Sequence, residues 1–139
     1  MSKRFCFLLG LVLGITLLSG CSNTLKASLG SEFTLSVGQN ARIASGSMEI
    51  KFIAVTEDSR CPKNVQCIQA GKVSCDVEIT KDGVKSHILL TQTGLTNNSN
   101  KYTYQNYTIA FEVSPYPEAG KEIASRDYRL SLTINKSTE

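Results

Sequence analysis

The chain has 139 residues, which is enough for one domain with a single hydrophobic core. Its formal net charge is +3, and 19% of its residues are charged. A nucleic-acid-binding protein needs a strong basic surplus or a basic stripe, and the sequence has neither, so we expect no nucleic-acid partner.

The first twenty-one residues combine charge, an apolar run and small residues in a fixed order. Lys3 and Arg4 precede an apolar stretch over residues 5–18, and Ser19-Gly20 stands directly before Cys21. This order is typical of a secretory signal peptide, and a cysteine directly after the cleavage site is typical of a bacterial lipoprotein. The pattern predicts a signal peptide over residues 1–20 and a diacylglycerol thioether on Cys21.

A retained transmembrane helix is the alternative interpretation of this segment. The apolar run has only about 14 residues, whereas ~20 are needed to span a bilayer. We therefore expect a protein of the cell envelope that is held in the lipid bilayer by the acyl chains on Cys21. Ser22 is not the aspartate that resembles an inner-membrane retention signal, so the outer membrane is favoured if the host has two membranes.

Residues 21–32 are polar and without periodicity, which predicts a flexible tether after the lipidated cysteine. A single β domain is predicted over residues 33–135, followed by a short tail over residues 136–139. In this domain apolar and polar residues alternate with period two, as in half-buried strands. The alternation is clearest over residues 33–37, 48–52, 73–79, 107–113 and 128–134.

Two local signals add detail to the strand pattern. Asp82-Gly83 between two alternating runs predicts a tight hairpin. The alternation changes phase at Ile53 and Val55, which predicts a β-bulge. Seven to eight short strands separated by turn residues, with no window of helical period, predict an all-β fold. We expect an antiparallel β-sandwich of immunoglobulin-like, Greek-key style, and a small β-barrel is the alternative.

Three cysteines remain once the leader and Cys21 are set aside, so at most one intramolecular disulfide can form. Export would place them where disulfides persist. Cys61 and Cys67 are close enough in sequence for a local bridge, and Pro62 stiffens the start of their loop. Cys75 shares an apolar strand face with Val73 and Val77, and we interpret it as a small buried hydrophobic residue.

The segment around the first two cysteines differs from generic strand or turn sequence. It contains Ser59-Arg60-Cys61-Pro62, a short spacer, Val65-x-Cys67 and, two residues later, Ala70-Gly71. This motif resembles one found in small bacterial lipoproteins and exported domains, and a weaker similarity extends to residues 113–117 and 127–129. The resemblance implies a β domain with a Cys61–Cys67 disulfide, and it implies no activity. The chain departs from the motif at Gln69, where an aromatic residue, usually tryptophan, is typical.

Catalytic and metal-binding patterns are not found in the sequence. The C-x5-C spacing does not match structural zinc sites, and His87 is predicted to be a surface strand residue. No nucleophile elbow, phosphate loop or metalloprotease motif occurs. Glu57, Asp58 and Arg60 are interpreted as a solvated turn, because adjacent strand residues point to opposite faces. We expect no catalytic residue, no metal and no cofactor.

Three tyrosines, Tyr102, Tyr104 and Tyr116, lie on or beside predicted loops and form a possible interaction loop. The sequence therefore predicts a non-enzymatic lipoprotein domain that binds an unidentified protein or glycan of the cell envelope. A small-ligand or metal-binding periplasmic module is the alternative.

Overall fold

The computed structural model describes residues 24–44, 47–94 and 100–137, and this part of the chain is largely β-structure. Two sheets of five and four strands pack into a β-sandwich and do not close into a barrel over the described residues. The predicted all-β sandwich is confirmed. The strands are β1 (Thr24–Ala27), β2 (Glu32–Ser36), β3 (Asn40–Ile43), β4 (Met48–Asp58), β5 (Lys72–Lys81), β6 (Val84–Thr93), β7 (Asn100–Tyr104), β8 (Tyr107–Ser114) and β9 (Arg129–Lys136), with a 3-10 turn at Ser125–Asp127.

The five-stranded sheet has the order β1-β3-β4-β5-β6. β1 is parallel to β3, and the other neighbours are antiparallel. The turn between β5 and β6 is Asp82-Gly83, whose φ angles are 51° and 82°. A two-residue type I′ turn requires positive φ at both positions, which asparagine, aspartate and glycine tolerate best. The predicted hairpin is therefore confirmed.

The four-stranded sheet has the order β2-β9-β8-β7, with all neighbours antiparallel. β7, β8 and β9 follow one another as a meander, and β2 adds to the free edge of β9. Because β2 lies between β1 and β3 in sequence, the chain crosses from one sheet to the other and back before β4 begins.

The hydrophobic core fills the space between the two sheets. The inward face of β5, and that of β9 with the residue just before it, carry the residues that the alternation predicted. All of them are buried: Val73, Cys75, Val77, Ile79, Tyr128, Leu130, Leu132 and Ile134. Cys75 is a free thiol with no exposed surface, so its interpretation as a buried hydrophobic residue is confirmed.

The start of the domain corrects the predicted tether over residues 21–32. Thr24–Ala27 form the edge strand β1, with Ala27 buried and Leu25 packed against the core. The strand contributes only these two apolar positions, too few to give a recognisable alternation, and its pairing with β3 supplies the remaining stability. At the other end, β9 includes Lys136, one residue into the predicted tail. The predicted signal peptide and Cys21 lie outside the described residues.

The predicted bulge lies in β4, where the pairing with β5 shifts after Phe52 and again after Val55. Beyond these shifts β4 continues to Asp58, at one end of the sandwich. We call this the cysteine-loop end, and the opposite end, at Asp82-Gly83, the hairpin end. Within the described residues, no helix has the length and apolar character to cross a membrane.

Candidate functional site

The cysteine loop, residues 59–71, connects β4 to β5 and is held by a disulfide. Cys61 and Cys67 are bonded, with their Cα atoms 6.0 Å apart, so the disulfide implied by the resemblance is present in the structure. Cys61 is buried, and its N–H donates to the Ala70 carbonyl over 2.9 Å. The bridge closes a loop of seven residues, which lowers the conformational entropy of the unfolded chain.

Arg60, inside this loop, is the buried charge of the cysteine-loop end, with only 3% of its surface exposed. Its Nε donates to Asp58 Oδ1 over 2.9 Å, and its Nη2 donates to Asp58 Oδ2 over 2.7 Å. Its Nη1 also donates to the Val113 carbonyl, and its Nη2 to the Pro115 carbonyl, each over 2.9 Å. The guanidinium lies 5.0 Å from the centroid of the Tyr116 ring. A planar fork of donors suits this mixed set of acceptors, and a lysine would not replace it.

Asp58, at the end of β4, completes what we call the Arg60 cluster, which consists of Arg60, Asp58, Tyr116 and Tyr128. Its Oδ2 also accepts a hydrogen bond of 3.0 Å from the hydroxyl of Tyr128. Burial opposes ionisation of the carboxyl, but the hydrogen bonds and charge of Arg60 outweigh it and hold the pKa of Asp58 below the ordinary value of 3.8. Burial, together with the hydrogen bond to Asp58, raises the pKa of Tyr128 to about 12. At neutral pH the cluster therefore contains a carboxylate, a guanidinium and a neutral phenol.

This cluster corrects the interpretation of Glu57, Asp58 and Arg60 as a solvated turn. The expectation that adjacent strand residues point to opposite faces holds, because Glu57 points to solvent and pairs with Lys72 over 3.2 Å. Asp58 and Arg60 instead point inward, where partners from β8 and the segment after it replace water. Those partners are more than fifty residues away in sequence, and two of them are backbone carbonyls, which no side-chain pattern reveals.

Two glycines allow backbone segments to cross closely beside the cluster. Gly71 has a φ of 68°, and a Cβ there would lie 1.8 Å from the Ser59 carbonyl oxygen. A Cβ at Gly94 would lie 2.2 Å from the Ala70 carbonyl oxygen. The far side of the loop is held as well, because the Lys63 N–H donates to the Pro117 carbonyl over 3.0 Å. The loop is thus fixed at several points along its length.

The structure does not bring the three predicted interaction tyrosines together. Tyr102 and Tyr104 lie on β7 and pack against the core, and the Tyr104 hydroxyl is 3.3 Å from Ser86 Oγ near the hairpin end. Tyr116 follows β8 at the opposite end, where its ring covers Arg60 and its hydroxyl is buried. The eight-residue strand β8 lies between Tyr104 and Tyr116 in sequence and spans about 25 Å, at ~3.4 Å per residue. The predicted interaction loop is therefore not one surface.

An open groove of about 380 Å³ lies beside the cluster, between the end of β4 and the segment before β9. Glu57, Lys121 and Glu122 supply charge to its walls, and Val55 and Ile123 supply apolar surface. The remaining lining residues are Thr56, Asp58, Pro117, Ser125 and Tyr128.

The other candidate reactive groups lie apart from this groove. His87 is on β6, with Nδ1 3.2 Å from Asp76 and 60% of its side chain exposed, as predicted for a surface strand residue. Burial raises the pKa of the Cys75 thiol to about 12, which disfavours the nucleophilic thiolate at neutral pH. Within residues 24–44, 47–94 and 100–137, no three His, Cys, Asp or Glu side chains are grouped so that they could hold a metal ion.

Sequence reasoning missed the Arg60 cluster, although a signal for it was present. The three segments that carry the resemblance are residues 59–71, 113–117 and 127–129. The first supplies Arg60, the second supplies its two carbonyl acceptors and Tyr116, and the third supplies Tyr128. The three segments meet at one point in the structure.

No protein-family model, curated protein or solved structure matches the chain.

Proposed function

We propose that the protein is a bacterial lipoprotein, anchored in the cell envelope through acylated Cys21, whose β domain binds an envelope partner and catalyses no reaction. The start of β1 at Thr24, three residues after Cys21, is the observation that carries this proposal. The residues before Cys21 have the composition of a cleaved leader. A short distance between the proposed lipidation site and the first described strand supports an anchor at Cys21.

The buried polar groups of the cysteine-loop end support a structural role over a catalytic one. The Asp58 carboxylate accepts hydrogen bonds from Arg60 and Tyr128, and Arg60 also donates hydrogen bonds to backbone carbonyls. A catalytic acid or base must exchange a proton near the working pH, whereas these groups are held in fixed protonation states at neutral pH.

The anchor is tested by growing the bacterium with an alkyne-tagged fatty acid and detecting the label on the protein. Wild type and the control Cys6→Ser, which alters only the leader, should carry the label and run as the shortened chain. Cys21→Ser should be unlabelled and keep its full length, because the acceptor thiol is gone. Label that persists on Cys21→Ser, or an unlabelled wild type, would contradict the anchor.

A second candidate function, binding of a small polar ligand, is favoured by the groove beside the cluster. Charged walls next to apolar side chains suit a saccharide, whose hydroxyls and C–H faces need both kinds of contact. Envelope saccharides titrated into the purified protein should shift the nuclear magnetic resonances of Glu122 and Ile123. Lys121→Ala should weaken these shifts, and Lys101→Ala, an exposed change on β7, should not. Shifts spread evenly over the domain would contradict a site in this groove.

A further inference from the structure

The tip of the cysteine loop presents aliphatic side chains to solvent on a fixed backbone. Ile68 is fully exposed, and Val65 is 44% exposed. Every residue from Lys63 to Gln69 is exposed, and Lys63 is the one charged residue among these seven. The Cys61–Cys67 disulfide and the bond from Lys63 N–H to the Pro117 carbonyl hold this tip in place. A surface that is already rigid loses little entropy when it makes a contact.

The strand directions show which way the chain leaves the domain toward Cys21. β1 is parallel to β3, with Thr24 opposite Asn40, and β3 is antiparallel to β4, with Asn40 opposite Lys51. β4 runs from Met48 to Asp58, toward the cysteine loop. β1 therefore runs away from the cysteine-loop end, and its first residue, Thr24, is on the side that faces that end.

The length of chain before β1 limits how far a lipid on Cys21 can be from the domain. Cys21 precedes Thr24 by three residues, which span about 10 Å when fully extended. The eight residues of β4 from Lys51 to Asp58 span about 23 Å in the same direction, over seven steps of ~3.3 Å. A bilayer that holds Cys21 is thus kept close to the β1 edge. Because three residues cover only about 10 Å of that distance, the domain must tilt its cysteine-loop end toward the bilayer for the loop to touch it.

We propose that the cysteine loop is a second, non-covalent membrane contact, in which Val65 and Ile68 insert into the lipid leaflet that holds the acyl chains of Cys21. This inference rests on the proposed lipid anchor. Two aliphatic side chains would bind a bilayer only weakly on their own, but a covalent anchor on the same domain, three residues before β1, gives them a high effective concentration at its surface. The domain is then oriented on the membrane, with the hairpin end directed away from it.

The chain contains no tryptophan, so a single introduced tryptophan reports its own environment. Ile68→Trp places the probe at the tip, and Val84→Trp places it at the hairpin end, where Val84 is 65% exposed. Both variants are purified with their lipid and reconstituted in phosphatidylethanolamine–phosphatidylglycerol vesicles with brominated acyl chains. The tryptophan of Ile68→Trp should emit at shorter wavelength and be quenched several-fold more than that of Val84→Trp.

The outcomes separate failure of the loop contact from failure of the anchor, because the intact mass of each sample is measured first. A lipidated chain whose two probes are equally water-exposed overturns the loop contact and leaves the anchor standing. A chain without lipid overturns both. A probe at position 68 that is shielded in native envelope vesicles but not in pure lipid also overturns the lipid contact and identifies a protein as the occupant.

Discussion

The two ends of the sandwich are built by different kinds of interaction. At the hairpin end, Asp82-Gly83 closes β5 on β6, and the ion pair from Lys85 to Glu78 is also local to this hairpin. At the cysteine-loop end, Arg60 reaches carbonyls 53 and 55 residues away, and Asp58 accepts a bond from Tyr128, 70 residues away. The first end follows from short-range turn chemistry. The second exists only after both sheets have assembled, so its stability depends on a few buried groups.

Removing Arg60 should break the cysteine-loop end most severely. Arg60→Met would leave the Asp58 carboxylate buried without its counter-charge, and we expect a loss of about 3–5 kcal/mol in the free energy of unfolding. Arg42→Met is the matched control, because the Arg42 side chain is 71% exposed in its pair with Glu49, and exposed pairs contribute about 0–1 kcal/mol. Urea unfolding measures both variants. Equal losses would contradict the structural role of the Arg60 cluster.

Two glycines with positive φ make a second comparison of the ends. Gly71→Ala and Gly83→Ala both place a Cβ on left-handed backbone, which costs about 1–2 kcal/mol. Only at Gly71 would the Cβ also strike a backbone oxygen, that of Ser59, whereas nothing lies within 4 Å at Gly83. We expect Gly71→Ala to lose about 3 kcal/mol or more in urea unfolding and Gly83→Ala about 1. The reverse order would mean that the crossing at Gly71 is not tightly packed.

Removing the disulfide should have a smaller effect, because the loop it closes is short. For seven residues the loop-closure entropy corresponds to about 2–2.5 kcal/mol, and the double variant Cys61→Ser/Cys67→Ser should lose that amount in thermal or urea unfolding. Peptide mapping of the unreduced wild type should find Cys75 as a free thiol that iodoacetamide modifies only after unfolding. A bond between Cys75 and either partner would contradict the pairing.

The smallest expected effect is the pH dependence contributed by Asp58. Its folded-state pKa lies below the ordinary value of 3.8, so it contributes stability that is present above that value and lost as pH falls through the folded-state pKa. Between roughly pH 5 and pH 2, the free energy of unfolding of the wild type should therefore fall more than that of Asp58→Asn, although the variant is less stable at neutral pH. Asp127→Asn, an exposed change at the same end, is the matched control. Parallel curves for wild type and Asp58→Asn would contradict the pairing with Arg60.

The parts of the fold that the sequence predicts are those whose information is local. The alternation of Val73 to Ile79 and of Tyr128 to Ile134 specifies strand faces, and Asp82-Gly83 specifies a turn. β1 was missed because so short an edge strand is specified by its pairing with β3. The Arg60 cluster was missed because its acceptors include the Val113 and Pro115 carbonyls, which any residue would supply.

The candidate site was predicted only in part. The disulfide and the exposed position of His87 agree with the structure. The grouping of Tyr102, Tyr104 and Tyr116 fails, because nearness to loops in sequence does not say at which end of the sandwich each loop lies. Tyr104 is beside Ser86 near the hairpin end, and Tyr116 is stacked on Arg60 at the cysteine-loop end.

Intact-mass spectrometry of the protein extracted from bacterial membranes tests the proposed function most directly. The account predicts a chain that begins at Cys21 and carries the added mass of a diacylglycerol group, with or without a further acyl chain on the new amino terminus. A chain that begins at Met1, or one that begins at Cys21 with no added mass, would contradict it.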